Sequence, residues 1–148
     1  MKFHFLLSIL LLVSIGHPEG TSSQSPVELI LKDTSGGPQD PQILVIKEQQ
    51  SLKAFYSKVN QTRRPGLAIP KVNFKNEFII ILCMGTRQTA GYDISISATK
   101  VLKNTLHIYV KEEYPENARN LAKVLNEPFS IYRVKGTFKD VIFHKTEN

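Results

Sequence analysis

The feature that most constrains the fold is an apolar run at residues 78–84 in which neighbouring positions are all hydrophobic. Because successive side chains of a strand point to opposite faces of a sheet, this run predicts a central strand covered on both sides. A polar loop with glycines at both ends, Gly85 and Gly91, follows it. Residues 92–97 then alternate between apolar and polar types, which is typical of a half-buried strand. We therefore predict a hairpin-like loop between two core strands, a place where functional residues are often found.

The N-terminus has the pattern of a secretory signal peptide. Lys2 supplies one positive charge, and residues 3–15 form an apolar run that is short for a membrane span. Small residues near Gly16 suit signal-peptidase cleavage. We predict a signal peptide over residues 1–20, with cleavage after Gly20 or, alternatively, after Gly16. The mature protein would then be secreted and extracellular, or periplasmic in a Gram-negative bacterium, with no stable membrane anchor.

Composition fits one globular domain without covalent cross-links. Hydrophobic residues make up 41% and charged residues 22% of the chain, and both proportions are ordinary. We predict a polar leader at 21–26 and one domain at 27–148. Because Cys83 is the only cysteine, no disulfide can form within the chain. Its position inside the apolar run predicts a buried and unreactive thiol.

The net charge of +6 says little about a partner, because the lysines are scattered along the sequence. The chain has no tryptophan, and its basic residues do not alternate with aromatic ones as in proteins that bind single-stranded nucleic acid. We therefore expect a solvated basic surface and no nucleic-acid partner.

One helix is clearly predicted by spacing. Ser51 has the character of an N-cap, and Leu52, Phe55, Tyr56 and Val59 follow at positions that share one helix face. The other predicted elements are a second short helix at 116–125, strands at 27–31, 43–46, 106–111, 129–134 and 141–143, and turns at Lys103-Asn104 and Lys135-Gly136. Together they predict an α+β fold that is mostly antiparallel β, sheet-like or sandwich-like, with one or two short helices.

The titratable residues do not have the spacing of a catalytic or metal site. His107 and His144 have no Cys, Asp or Glu at metal-ligand spacing, and His107 lies on the outward face of its predicted strand. Glu112 and Glu113 are adjacent, so they would point to opposite faces of a strand and could not act as an acid–base pair. We therefore predict no metal, no cofactor and no catalytic residue, in a protein that is not an enzyme.

Asn60 is a candidate modification site, because Asn60-Gln61-Thr62 has the acceptor pattern for N-glycosylation. The pattern applies only if the source cell glycosylates its secreted proteins.

The loop at 85–92 is the candidate contact surface, and two interpretations of it are open. It is either a plain turn, in which the glycines adopt positive φ and Thr89 bonds local backbone, or a surface that projects from one end of the sheet. The partner-binding candidates are Arg87, Gln88, Thr89 and Ala90, and the structural candidates are Gly85, Gly91 and Tyr92.

This loop and its flanking strands resemble the PrcB C-terminal domain, named for an accessory polypeptide of a bacterial surface protease complex. The residues that carry the resemblance are the apolar strand 78–84, Gly85, Arg87, Thr89, Gly91, Tyr92, and Pro128-Phe129 with Ile131 and Val134. The resemblance covers mainly residues 74–134, and Ala90 stands where the family usually has glycine. It implies a secreted, non-enzymatic accessory domain whose protein partner is a protease.

A second resemblance gives the alternative function. Chagasin-type inhibitors of cysteine proteases carry a Thr-x-Gly-aromatic loop between strands of a β-sandwich, and Thr89-Ala90-Gly91-Tyr92 is similar to it. Their other binding loops have no convincing counterpart in this sequence. The resemblance implies direct inhibition of a cysteine protease, so the two functions differ in whether the bound protease remains active.

Overall fold

The computed structural model describes residues 25–116 and 121–146. The predicted signal peptide, residues 1–20, lies outside the described residues, as does most of the predicted leader at 21–26. The elements are β1 (Val27–Asp33), β2 (Gln42–Ile46), α1 (Gln49–Val59), β3 (Glu77–Cys83), β4 (Asp93–Leu102), β5 (Thr105–Glu113), β6 (Phe129–Lys135) and β7 (Asp140–Lys145). No helix within these residues is long and apolar enough to cross a membrane.

The strands form two sheets that pack face to face. Sheet 1 has the strand order β1-β6-β3-β2, and its neighbouring strands are all antiparallel. Sheet 2 has the order β4-β5-β7, in which β4 and β5 are antiparallel and β5 and β7 are parallel. The helix α1 packs on the face of sheet 1 that sheet 2 does not cover. The predicted α+β, mostly antiparallel, sandwich-like fold is confirmed.

Strand β3 is buried on both faces, as its sequence predicts. Ile79, Ile81 and Cys83 pack in a core with α1, whereas the intervening residues pack in a second core between the two sheets. Residues 78–84 are all buried, and β3 lies between β6 and β2. Sheet 1 is therefore a wall shared by two hydrophobic cores.

The apolar stripe of α1 is confirmed, but its N-cap is not Ser51. The helix begins at Gln49, and Glu48 is the N-cap, with extended backbone at φ −149° and ψ 152°. Ser51 lies in the first turn, where its hydroxyl donates a 2.7 Å hydrogen bond to the Glu48 carboxylate. The prediction was wrong because Ser51 finds a side-chain partner one turn earlier. The helix starts directly after β2, so the chain turns back immediately onto sheet 1.

The connection between β3 and β4 is not a hairpin, because the two strands lie in different sheets. Both edges of β3 are already paired, to β2 and to β6, so β4 must leave sheet 1 and pair with β5 instead. In the same way, β6 and β7 do not pair around Gly136, since β7 lies parallel to β5. The predicted Lys103-Asn104 turn is confirmed, with φ of 46° and 64°.

The helix predicted at 116–125 is absent from the part of it that the structure describes. Residues 117–120 lie outside the described residues, and residues 121–125 have no helical structure. The Ala122 carbonyl accepts a hydrogen bond from Ala90 N, and Asn126 pairs with Arg87. The segment pairs with the 85–92 loop because that loop offers backbone partners, and this contact overrides the helical spacing of its apolar residues.

A side-chain hydrogen bond connects the two sheets. The Tyr132 hydroxyl accepts a 2.9 Å hydrogen bond from Ile96 N, at the register shift of β4. Tyr132 is buried in the core between the sheets, where an unbonded N–H or hydroxyl would be costly. This bond fixes where β4 crosses over sheet 1, and β4 begins directly after the loop at 85–92.

Candidate functional site

The base of the 85–92 loop is held tightly against the segment that precedes β2. Gly85 is buried and has φ +76°, and a Cβ at this position would lie 2.7 Å from Pro41 Cδ and 2.8 Å from the Gln39 carbonyl oxygen. Thr86 N donates a 2.8 Å hydrogen bond to the same Gln39 carbonyl. Both the left-handed backbone and the close approach require glycine at this position.

The middle of the loop is fixed by Asn126, a residue that the sequence analysis did not single out. Arg87 and Asn126 exchange two backbone hydrogen bonds, of 2.8 and 2.9 Å. The Asn126 side-chain amide also donates to the Thr89 carbonyl at 2.7 Å and to the Val124 carbonyl at 3.1 Å. Asn126 is only 8% exposed, so these bonds satisfy a buried polar group. No local pattern marks this role, because the Thr89 contact spans 37 residues of chain.

The four predicted contact residues differ in how far they reach solvent. Gln88 is exposed, whereas Arg87, Thr89 and Ala90 are half-buried. The bonds that involve Thr89 and Ala90 use their backbone, which leaves the loop's conformation independent of their side chains. Gly91 is exposed with φ +90°, as predicted for a glycine that turns the chain.

Arg87 does not extend freely from the loop. Its Cζ lies 5.5 Å from the centre of the Tyr92 ring, and Nη1 donates a 3.2 Å hydrogen bond to the Thr86 carbonyl. Tyr92 in turn makes an edge-to-face contact with Tyr114, with ring centres 5.9 Å apart. The Arg87 guanidinium therefore lies over the face of the Tyr92 ring, directly before β4 begins.

A carboxylate near this cluster is held in its charged form. Glu112 accepts hydrogen bonds from the Tyr114 hydroxyl and from Lys145 Nζ, the latter at 3.0 Å. Burial alone would raise the pKa of Glu112, but these bonds and the charges of Lys145 and Arg87 outweigh burial and lower it. The hydrogen bond to Glu112 raises the pKa of Tyr114. Glu113 points to the other face and pairs with Lys111 at 2.8 Å, which agrees with the predicted separation of the two glutamates.

Exposed apolar side chains flank the loop. Leu125 is 67% exposed, Val124 is 48% exposed and Tyr114 is 52% exposed. Leu125 and Val124 precede Asn126 directly, so they lie beside the backbone of residues 87–90. Leu125 is exposed because the helix predicted at 116–125 does not form over its described residues 121–125. We call residues 85–92 together with 121–126 the loop surface.

Asn60 ends α1 and uses both atoms of its side-chain amide within the fold. Its Nδ2 donates a 2.9 Å hydrogen bond to the Leu67 carbonyl, and its Oδ1 accepts one of 2.7 Å from Leu67 N. The nitrogen that a glycan would modify therefore already holds the following loop. N-glycosylation at Asn60 stays a prediction.

The remaining sequence candidates lie away from the loop surface. Cys83 is a free thiol, 2% exposed, and burial raises its pKa to about 12, as expected for an unreactive core residue. His107 and His144, which are far apart in sequence, are brought within hydrogen-bond distance on the outer face of sheet 2. Within residues 25–116 and 121–146, no three His, Cys, Asp or Glu residues come together as a potential metal cluster.

A groove of about 1080 Å³ lies between α1, β2 and residues 36–40, and its lining includes Gln39, whose carbonyl holds the base of the 85–92 loop. Its lining combines apolar residues such as Leu44 and Phe55 with Asp40 and Lys58. The Glu127 carboxylate in this groove accepts a hydrogen bond from Gly36 N and so helps to fix the loop that precedes β2. Ser51 also lines this groove, and its hydroxyl is engaged by the Glu48 carboxylate at the start of α1.

Comparison with known proteins bears on the part of the chain that contains the 85–92 loop. No curated protein and no solved structure matches the chain. Residues 78–135 match the family model described as PrcB C-terminal. The matched segment runs from β3 to the end of β6, so it contains the 85–92 loop, the 121–126 segment and the Asn126 contacts between them. Over these residues, from β3 to β6, the chain is similar to the PrcB C-terminal family.

Proposed function

We propose that this protein is a secreted, non-enzymatic accessory domain that binds a protein partner, a protease, through the loop surface. The match to the PrcB C-terminal family supports association with a protease complex. The proposed contact residues are Arg87, Gln88, Thr89 and Ala90, to which the geometry adds Val124 and Leu125.

The observation that carries this proposal is the combination of a fixed backbone with exposed apolar side chains. Gly85 and Asn126 hold the loop before any partner arrives, so binding orders few additional groups. Leu125, at 67% exposure, stands next to the polar tip at Gln88. Exposed apolar groups rimmed by polar ones are typical of protein contact surfaces.

The chemistry of this surface supports the non-enzymatic part of the proposal. Its basic group, Arg87, covers Tyr92, and the nearby Glu112 carboxylate is engaged with Tyr114 and Lys145. A lowered pKa keeps Glu112 ionised at neutral pH, so it is poorly suited to donate a proton as a general acid. We propose that these groups shape the loop rather than react.

Export is the part of the proposal that rests on residues 1–20 alone. The basic start and short apolar run suit removal by signal peptidase. N-terminal sequencing of the protein from its native source should find a chain that begins at Thr21 or at His17. An intact Met1 on the natural protein would contradict export by this route.

Affinity capture with matched variants tests the partner. The mature protein should recover a protease from native secretions, and Leu125→Asp or Gln88→Ala should reduce that recovery strongly. The control is Leu102→Asp, which puts the same charge on a side chain that is 46% exposed at the far end of β4. Both aspartate variants should fold normally, since exposed substitutions usually change stability by about 0.5 kcal/mol or less.

The outcome separates three results. Loss of recovery with Leu125→Asp but not with Leu102→Asp would support the loop surface. Equal recovery by all variants would place the contact elsewhere and refute the proposal. Inhibition of a papain-type protease by the wild type, lost in Gln88→Ala, would replace the accessory role with the chagasin-like alternative.

A further inference from the structure

The fold gathers lysines that are scattered along the sequence at one end of the sandwich, opposite the 85–92 loop. At this end β3 begins and β6 ends, with Glu77 paired to Lys135, and β2 ends beside them. Sheet 2 reaches the same end through the turn between β4 and β5, where the Asn104 carbonyl accepts a 2.9 Å hydrogen bond from Lys139 N. We call this end the basic pole, and its exposed lysines are Lys47, Lys75, Lys103, Lys135 and Lys139.

The carboxylates at the basic pole leave a positive excess. The Glu28 carboxylate lies 3.4 Å from an Arg133 nitrogen and 3.4 Å from Lys135 Nζ. The Glu77 carboxylate lies 3.8 Å from Arg133 Nε. The other carboxylates near this end belong to Glu48 and Asp140. In the part of the chain that the structure describes, the lysines of the pole other than Lys135 have no ion pair.

A cleft of about 140 Å³ opens in the basic pole, between the start of β3 and the connection from β6 to β7. Lys47 and Lys75 line it together with Asn76 and Thr137, and the Phe138 ring contributes apolar surface. A water molecule occupies about 30 Å³ of liquid, so the cleft has room for one tetrahedral oxyanion and a few waters. It is therefore large enough for a single sulfate or phosphate group.

The polar groups that line the cleft are mostly donors that the fold leaves unused. Among the described residues, the Asn76 side-chain amide, the Thr137 hydroxyl and the Thr137 N–H have no hydrogen-bond partner. The Glu77 carboxylate also lines the cleft, but it accepts a 3.0 Å hydrogen bond from Asn73 N and lies close to Arg133. The cleft thus offers two ammonium groups and neutral donors, and its one carboxylate is already engaged.

We propose that the cleft binds a sulfate group of a sulfated polysaccharide, and that the other lysines of the basic pole contact neighbouring sulfates of the same chain. Ammonium, amide and hydroxyl groups all donate hydrogen bonds to such oxyanions, and the charge-assisted bonds are the stronger ones. A polysaccharide carries its anions along one flexible chain, which can follow the lysines from the end of β2 to the β4–β5 turn. The recessed position of the cleft favours such a chain over the plane of a membrane.

Fluorescence anisotropy with a fluorescein-labelled heparin oligosaccharide at neutral pH tests the site in the tag-free mature protein. Lys75→Glu should raise the dissociation constant roughly tenfold or more, because it replaces an attraction by a repulsion. Thr137→Ala changes no charge and should raise the dissociation constant roughly threefold, through loss of a hydrogen bond to the anion. Both residues are exposed, so both variants should fold, and unchanged melting temperatures check this.

Lys58→Glu is the matched control, because it makes the same change of charge on an exposed lysine. Lys58 lies in the last turn of α1, and the adjoining Val59 carbonyl approaches Gly36 at the loop end of sheet 1. The length of β3 separates the two ends of the sheet by about 20 Å, which is beyond the screening length of about 8 Å at physiological salt. This variant should therefore leave the dissociation constant almost unchanged.

The outcomes separate a built site from general attraction. Weakening by Lys75→Glu and Thr137→Ala alone, with loss of binding to a chemically desulfated oligosaccharide, would support the site. Equal weakening by Lys75→Glu and Lys58→Glu, or full affinity in Thr137→Ala, would overturn it. Tighter binding to phosphatidylglycerol vesicles, weakened by the same variants, would assign the cleft to lipid phosphates and overturn the polysaccharide. None of these variants lies on the loop surface, so the result is independent of the proposed protease contact.

Discussion

Gly85→Ala should destabilise the fold more than the same substitution at a glycine that also has positive φ but has open surroundings. A non-glycine residue in this backbone region costs about 1–2 kcal/mol. The new Cβ would also lie 2.7 Å from Pro41 Cδ and 2.8 Å from the Gln39 carbonyl oxygen, both in the segment that anchors the loop base. Forcing extra volume into such a packed place costs about 1–3 kcal/mol more. The expected loss for Gly85→Ala is therefore about 2–5 kcal/mol.

Gly36 is the matched control for the backbone part of this cost. Its φ is +77° against +76° for Gly85, but the nearest atoms to an added Cβ are 3.4 Å away. Contacts at that distance need little adjustment, so Gly36→Ala should lose only the left-handed term, about 1–2 kcal/mol. The difference between the two variants isolates the close approach of the chain at Pro41 and Gln39.

Urea unfolding followed by far-ultraviolet circular dichroism measures both free energies of unfolding. For a domain of this size, each kcal/mol should lower the melting temperature by about 3–6 °C, so a thermal melt gives a second reading. A Gly85→Ala variant that is no less stable than Gly36→Ala would refute the reasoning. It would mean that residues 38–41 move away at negligible cost and that the loop base is not rigid.

Three further predictions concern the core and its edge. Cys83 should react with thiol reagents only after denaturant is added, and Cys83→Ala should cost about 1 kcal/mol, because the thiol is buried with a pKa of about 12. Tyr132→Phe should cost about 1–2 kcal/mol in urea unfolding, since it leaves the Ile96 N–H without the hydroxyl acceptor; a neutral effect would mean that water replaces it. Burial would raise the pKa of Asp33, but hydrogen bonds from Arg63 and backbone groups together lower it below 3.8, so this carboxylate stabilises the fold above that pH. The stability advantage of the wild type over Asp33→Asn should shrink as pH falls below about 3.8, and a constant difference across that range would contradict the assignment.

The elements that sequence predicts well are those whose signal is local. The four apolar residues of α1 recur at helix spacing, and the run at β3 is apolar at every position, so burial follows directly from periodicity. The cap of α1 was less predictable, because Glu48 and Ser51 compete for the same turn. The ends of a helix depend on such side-chain contacts, whereas its buried face depends only on the spacing of its apolar residues.

Neither the division of the strands into two sheets nor the form of the candidate site could be predicted from local periodicity. Alternation in β4 predicts one buried face but does not say whether its neighbour is β3 or β5. Residues 121–125 carry apolar side chains at helical spacing, yet their backbone pairs with the loop through Asn126. The loop's glycines were predictable from turn chemistry, but the residue that holds the loop comes from a distant segment. Long-range pairing of this kind is decided by the assembled fold.

Sheet 1 is the wall shared by two hydrophobic cores, and this arrangement predicts the order in which the two sheets open during partial unfolding. Sheet 2 contacts that wall through side chains and shares no strand pairing with it, so a sub-global fluctuation can release sheet 2 while α1 and sheet 1 stay packed. Amide hydrogens of β3 and β6 should then exchange only through global unfolding. Those of β7, an edge strand near the C-terminus, should exchange earlier. A partner that holds the loop between β3 and β4 would connect both layers and slow exchange across sheet 2, far from the contact itself.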